Sequence, residues 1–350
     1  MKVQLASVVA CALLAPVFAA IATACADAGP IKHWGTFPGR EVRALSFGGS
    51  GLAGEPRFTA VQGRDGYVYI RGPFGMYRVL DDTGRNEQVA DNAGCTGWYK
   101  LTDVDLRSAN PRAICNSPGE IIVTTLTYLR HWPVPEPSWI GGVDETNRDT
   151  GSLTNVLTAD DGGFWFAYGP ARGIGRVWTS GRAELRHYPG VGAIKSVAAA
   201  GDDLYFVDDE CVFGRLHGLT LIASHAVPCD RGDASVVETT DGAVWVLGGA
   251  TGVVARYGRD GSHRSWRLAL DATGVAVSRD GTVYVLGYQP TATWKSHPMI
   301  AVIAPGHKPD LRILPTLDVG SIAIDARDRL WISAPHAHGA TVIAPIGAWN

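Results

Sequence analysis

A short phrase recurs along this chain: a turn pair, most often Asp-Gly, one spacer residue, and then an apolar–aromatic–apolar triplet. Clear copies are Asp65–Ile70, Asp161–Phe166, Asp241–Val246 and Asp280–Val285. Degenerate copies begin at Gly201, Arg327 and, weakest, Pro118, which makes seven. The spacing is about 40 residues, and short strands repeating at that period are the signature of propeller blades. The expected fold is therefore all-β, a seven-bladed β-propeller. Frequent Gly (43) and Pro (20) supply the many turns such a chain needs.

The third repeat shows how a blade is written. Val156–Ala159 is the expected inner strand, Asp161-Gly162 the turn, Phe164–Ala167 the second strand, Ile174–Val177 the third and Ala183–Tyr188 the outer one. The recurring aromatics Tyr69, Trp165, Tyr205, Trp245, Tyr284 and Trp331 are expected to pack between neighbouring blades. After Ala340–Ala344 the chain stops short of a last outer strand. The segment Ile31–Phe37 is expected to pair with the last blade and close the ring, which removes two exposed sheet edges.

Met1-Lys2 followed by the apolar stretch Leu5–Ala24 reads as a secretory signal peptide. Residues 1–28 are assigned to it and 29–350 to one propeller domain, with cleavage after Ala28 or before Cys25. Cys25 leaves a lipoprotein terminus as a minor alternative. A membrane anchor is disfavoured because the apolar core is short and contains Pro16, and no later segment is apolar for long enough to span a bilayer. The chain is thus expected to be exported, to a periplasm or outside the cell. Four cysteines remain after the leader, and an even number in an exported chain argues for disulfides. Nearest-neighbour pairing, Cys95–Cys115 and Cys211–Cys229, is expected, and no C-x-x-C spacing supports a thiolate metal site. A net charge of −3 gives no case for nucleic acid or an anionic membrane as partner, and a monomer is expected.

Propeller sites usually lie on the face made by the loops from strand two to three and from strand four to the next blade. The Asp-Gly turns lie on the other face. Three groups fall on the expected site face. Asp208, Asp209 and Glu210, with Asp230 beyond Cys229, offer oxygen ligands for Ca²⁺ or Mg²⁺; the bland alternative is a solvated acidic loop held by a disulfide. His336 and His338 alternate on an extended segment and so point the same way, as a transition metal would require; the alternative is an exposed loop. Arg71, Phe74, Tyr168, Arg172, Tyr288, Trp294 and His297 have the composition of a site for a small molecule, glycan or protein segment, against ordinary loop packing. A loop from Thr127 to Glu136 is expected to overhang the same opening. No nucleophile elbow, phosphate loop or zinc-protease motif is present.

The run Gly162–Gly169, followed by Gly173-Ile174-Gly175-Arg176-Val177 and the turn at Gly181, resembles the blade signature of the virginiamycin B (streptogramin) lyase-like propellers. Leu204 through Phe213-Gly214-Arg215-Leu216 is similar. The resemblance implies seven blades. For those lyases it also implies opening of a cyclic ester-containing peptide by elimination, with Mg²⁺ and histidines near the central opening. Their pattern places a Glu right after the aromatic strand and a His just before certain inner strands. Here the Glu position holds Ala167, Val207 or Asp208, and Leu247. The His position holds Lys195 or Ser196, Ala234 or Ser235, and Thr273 or Gly274. No catalytic residue carries over. The expected function is a non-catalytic ligand- or protein-binding module. The alternative is a metal-dependent lyase or lactone hydrolase of the gluconolactonase type, using the acidic loop, His336 and His338. Beyond Ca²⁺ or Mg²⁺ in that alternative, no cofactor is implied.

Overall fold

The computed structural model describes residues 40–46, 59–62, 67–72, 75–80, 85–91, 100–105, 112–117, 120–124, 129–135, 153, 155–159, 161–169, 171–229, 234–239, 242–258, 261–290, 297–314, 319–334 and 339–345. The expected signal peptide falls outside them. The described strands form seven four-stranded sheets. β1 is Arg40–Ser46. Sheet one contains β2 (Thr59–Gln62), β3 (Val68–Gly72), β4 (Gly75–Val79) and β5 (Asn86–Asp91). Sheet two contains β6 (Lys100–Asp105), β7 (Arg112–Ser117), β8 (Glu120–Thr124) and β9 (Leu129–Pro133). Sheet three contains β10 (Asn155–Thr158), β11 (Phe164–Tyr168), β12 (Gly173–Val177) and β13 (Ala183–His187). Sheet four contains β14 (Ile194–Ala200), β15 (Asp203–Asp208), β16 (Val212–His217) and β17 (Thr220–Ala226). Sheet five contains β18 (Ser235–Glu238), β19 (Val244–Leu247), β20 (Val253–Tyr257) and β21 (His263–Arg267). Sheet six contains β22 (Asp271–Val277), β23 (Val283–Tyr288), β24 (Pro298–Ile303) and β25 (Asp310–Ile313). Sheet seven contains β26 (Ile322–Ile324), β27 (Leu330–Ala334) and β28 (Gly339–Pro345), and β1 returns to it as the fourth strand. No described helix is long and apolar enough to cross a membrane.

The repeated phrase builds a repeated turn. Between β10 and β11, Gly162 N donates to Ala159 O (3.0 Å) and Ala159 N donates to Gly163 O (2.9 Å). This closure puts Gly162 at φ 82°, a left-handed conformation that costs glycine little. The same two bonds recur at Thr239–Ala243, Ser278–Thr282 and Asp325–Arg329. In the last of these, Asp328 takes the left-handed place at φ 61°. Aspartate is one of the few side chains that tolerates it. Its carboxylate is also used: Oδ2 pairs with Arg40 at 3.1 Å, and Oδ1 accepts the Arg279 amide at 3.3 Å.

The triplet after each turn supplies the core between sheets. Trp165 clusters with Val197, Leu204 and Phe206 of sheet four, and Tyr205 with Val236, Val244 and Val246 of sheet five. Trp245 clusters with Val275 and Val285 of sheet six, and Tyr284 with Ile324, Leu330 and Ile332 of sheet seven. Trp331 of sheet seven clusters with Val68, Ile70 and Tyr77 of sheet one. Trp165, Tyr205, Trp245, Tyr284 and Trp331 are thus buried between sheets, and Tyr69 is fully buried as well, each worth about 1.5–3 kcal/mol or more from area alone.

The Gly-Arg signature on the third strands has a packing reason. Gly175 lies opposite Phe166 and Gly214 opposite Phe206. A Cβ at either glycine would fall 2.1 Å from the phenyl Cζ, so no other residue fits beneath those rings. The following arginine faces the aromatic of the second strand: Arg78 opposite Tyr69, Arg176 opposite Trp165, Arg215 opposite Tyr205, Arg256 opposite Trp245. Arg176 lies over the Trp165 ring at 4.7 Å and Arg215 over Tyr205 at 5.7 Å, in cation–π contact. Sheet six has Val302 at that place, and Arg40 of β1 supplies the cation instead, 5.2 Å from the Tyr284 ring.

Two expectations need correction. As the triplet of the weakest copy, Ile121-Ile122-Val123 is expected in the second strand of its sheet, but Glu120–Thr124 is the third, β8, and the second is β7. The apolar run marks a strand without saying which one. Consequently the expected overhanging loop, Thr127 to Glu136, contains the outer strand β9. The expected closing segment Ile31–Phe37 lies outside the described residues, and the strand that pairs with β28 is Arg40–Ser46.

Candidate functional site

Alternation of direction in each sheet brings the turns from second to third strand, and the connections into the next sheet, to one end of the strands. Sheet four shows how this end is built. Asp208, 1% exposed, closes β15. Its Oδ1 accepts the amides of Glu210 (2.9 Å) and Val212 (2.7 Å), and its Oδ2 accepts the Gly192 amide (2.6 Å) from the connection leaving sheet three. Asp209 Oδ1 accepts the neighbouring Ala193 amide at 2.7 Å. The Cys211–Cys229 disulfide then ties this turn to the segment leaving sheet four, with Cα atoms 5.7 Å apart. Its expected counterpart Cys95–Cys115 involves residues outside the description of side chains.

The same fastening recurs with other chemistry. Tyr168 is fully buried, and its hydroxyl donates to Pro135 O at 3.3 Å. The Tyr288 hydroxyl donates to Val319 O (2.7 Å) and accepts the Val319 amide (3.2 Å). Ser333 Oγ accepts the Ser321 amide at 2.7 Å. At each of these places a polar group at the end of a second strand holds a connection between sheets.

The expected site residues therefore divide. Tyr168 and Asp208 are buried in the framework; Tyr288 and Asp209 are half-buried and bonded to it. Arg172 (φ 55°), Glu210 and His297 are exposed at this end. Phe74, Asp230, Trp294, His336 and His338 lie outside the described residues, as does the side chain of Arg71. Among the described residues, no three of His, Cys, Asp and Glu come together as a metal site. Tested against Mg²⁺, Asp208 offers a poor fit, since both oxygens already hold backbone amides. Asp209 and Glu210 alone leave most of an octahedral shell to water.

Sequence reasoning did not foresee three irregularities in the inner strands. In β14, Ile194 pairs with Asp208 and Ser196 with Val207, leaving Lys195 as an extra, bulged residue. In β22, Ala272 pairs with Gly287 and Gly274 with Leu286, leaving Thr273. In β6, Leu101 pairs with Cys115 and Asp103 with Ile114, leaving Thr102. The inner strands β2, β10, β18 and β26 pair in regular register. Lys195 and Thr273 are exposed. The sequence signal was slight: a polar residue one step inside an apolar strand.

No family model and no curated protein matches the chain. Solved structures do. A streptogramin B lyase is 14% identical with a TM-score of 0.66, covering 87% of this chain and 97% of its own. A catalytically inactive virginiamycin B lyase from Staphylococcus aureus with quinupristin is 13% identical with a TM-score of 0.65, covering 87% and 99%. The extracellular domain of a hybrid two-component system from B. thetaiotaomicron is 12% identical with a TM-score of 0.56, covering 86% of this chain and 41% of that one. At these identities the likeness is one of fold: the chain has the β-propeller architecture seen in the streptogramin lyases.

Proposed function

We propose that this chain is an exported, seven-bladed β-propeller, closed by its own N-terminal strand, that acts as a non-catalytic binding module through its loop end. Seven four-stranded sheets, the β1–β28 pairing and the contact of Trp331 with sheet one support the closed ring. The disulfide and the likeness to the extracellular domain of a hybrid two-component system support export, to a periplasm or the cell exterior. The observation that carries the functional reading is the state of Asp208. The one buried carboxylate described at the loop end is held by three backbone amides, and so serves as a fastener rather than as base or metal ligand. Arg172, His297 and the Tyr288 rim, with Arg71, Phe74 and Trp294, are the proposed contact surface for a small molecule, glycan or protein segment.

The second reading is a metal-dependent lyase or lactone hydrolase, favoured by the likeness to the lyase structures. It would recruit Ca²⁺ or Mg²⁺ to Asp209, Glu210, His336 and His338. Elemental analysis of the mature, disulfide-intact protein, dialysed without chelator, separates the two. The binding-module reading expects no stoichiometric divalent ion and no ring opening of a cyclic depsipeptide or lactone panel. One ion per chain, lost on changing Asp209 and Glu210 to Ala together with turnover, would replace it with the enzyme.

A further inference from the structure

We propose that Lys195 anchors an oxyanion site at the loop end, taking the carboxylate or phosphate group of a small ligand. This inference rests on the binding-module reading and adds the chemistry that the surface selects. Lys195 is the surplus residue of the β14 bulge; its side chain is exposed while its neighbour Ile194 is 1% exposed. Bulges re-aim side chains and favour positions beside functional sites.

The bulge is clamped from both sides. Asn155 Nδ2 of sheet three donates to Lys195 O at 3.5 Å. On the other side, Ser196 Oγ donates to Val236 O (3.2 Å) and accepts the Val236 amide (3.1 Å) of sheet five. The lysine is therefore presented from a backbone fixed by both neighbouring sheets, as a preorganised site requires. Its ammonium has no carboxylate within ion-pair distance among the described residues. Asp208 and Asp209, on the adjoining turn, hold the Gly192 and Ala193 amides instead. An unneutralised ammonium on a rigid support is a point-charge receptor for an oxyanion. Thr273 occupies the corresponding surplus place in sheet six, exposed, and its hydroxyl donates to Leu286 O at 3.4 Å.

The test is calorimetric titration of the full chain with inorganic phosphate, acetate and citrate at constant ionic strength. Wild type, Lys195→Met and Lys195→Arg are compared, and a panel of neutral saccharides and peptides is run in parallel. Saturable anion binding is expected, weakened roughly tenfold or more in Lys195→Met and restored in Lys195→Arg, which keeps the charge. Preference for phosphate over acetate would assign the ligand to phosphoesters, and the reverse to carboxylates. Equal anion binding by wild type and Lys195→Met overturns the inference, as does no anion binding by wild type. If neutral compounds then bind, the binding-module reading survives without it; if nothing binds, both fall.

Discussion

Asp325 and Asp208 are buried carboxylates at opposite ends of the sheets, and they are held by different partners. Asp325, at the turn end, accepts the amides of Arg327 and Arg329 on Oδ1 and the Arg329 Nε (2.6 Å) and Trp331 Nε1 (3.0 Å) on Oδ2. All four donors belong to its own sheet, and one is a cation that is itself 8% exposed. Asp208 has no cation among its described partners, and one of its three amides comes from the connection out of the preceding sheet. Asp325 thus fastens its own sheet from within, while Asp208 also joins its sheet to the preceding one. A charge held by amide dipoles is stable without a counter-ion. The loop end can therefore be rigid and still leave a lysine unneutralised beside it.

The comparison breaks most visibly at Asp325. Asp325→Ala would leave the Arg329 charge buried without its carboxylate and remove the acceptor of the Trp331 indole, so a loss of about 3–5 kcal/mol is expected in urea unfolding. A loss below that of Asp208→Ala would show that the internal ion pair is not the stronger fastening. Replacing Cys211 and Cys229 by Ser releases a loop of sequence separation 18. The expected cost is about 3 kcal/mol, read as the difference between oxidised wild type and the variant. Asp208→Ala strands amides on two segments and should cost about 2 kcal/mol. Hydrogen exchange at Gly192 and Val212 should accelerate together; acceleration at Val212 alone would mean that the carboxylate does not join the sheets.

The smallest effect sharpens the account of the turn end. Trp245 Nε1 donates to Thr239 Oγ1 at 3.0 Å, whereas the equivalent Trp165 Nε1 is buried without an acceptor among the described residues. The residue at the place of Thr239 in that sheet is Ala159, fully buried. Thr239→Val should cost about 1–2 kcal/mol, and Ala159→Ser should recover up to about 1 kcal/mol. A neutral Ala159→Ser would show that the serine hydroxyl does not reach the indole.

Much of this fold was legible because its grammar is local. An Asp-Gly pair before an apolar–aromatic–apolar triplet specifies a turn closed three residues away, whatever surrounds it. Where that pair was missing, reading faltered: Pro118-Gly119 was placed one strand early, since Ile121–Val123 signals a strand but not its order in the sheet. The resemblance to the lyases rested on the Gly162–Gly169 run, the turn at Gly181 and the third-strand segments that hold Gly175-Arg176 and Gly214-Arg215; the two Gly-Arg pairs show what such residues do. Those residues seat a phenyl ring and cover an aromatic. A signature made of packing residues transfers architecture and leaves the reaction open. The site was less legible. Tyr168 and Asp208 were singled out for their chemistry, yet their polar atoms bind backbone of neighbouring segments, which no spacing in the chain announces.

By itself, the sequence determined the repeat, the turns and the aromatic layer between sheets, because each depends on contacts within a few residues or on a period. Only the tertiary structure decided that Arg40 of β1 completes sheet seven and covers Tyr284, partners some 240 residues apart. It also decided that Lys195 is squeezed out of register. A bulge arises from how two strands and their neighbours on both sides compete for the same hydrogen bonds.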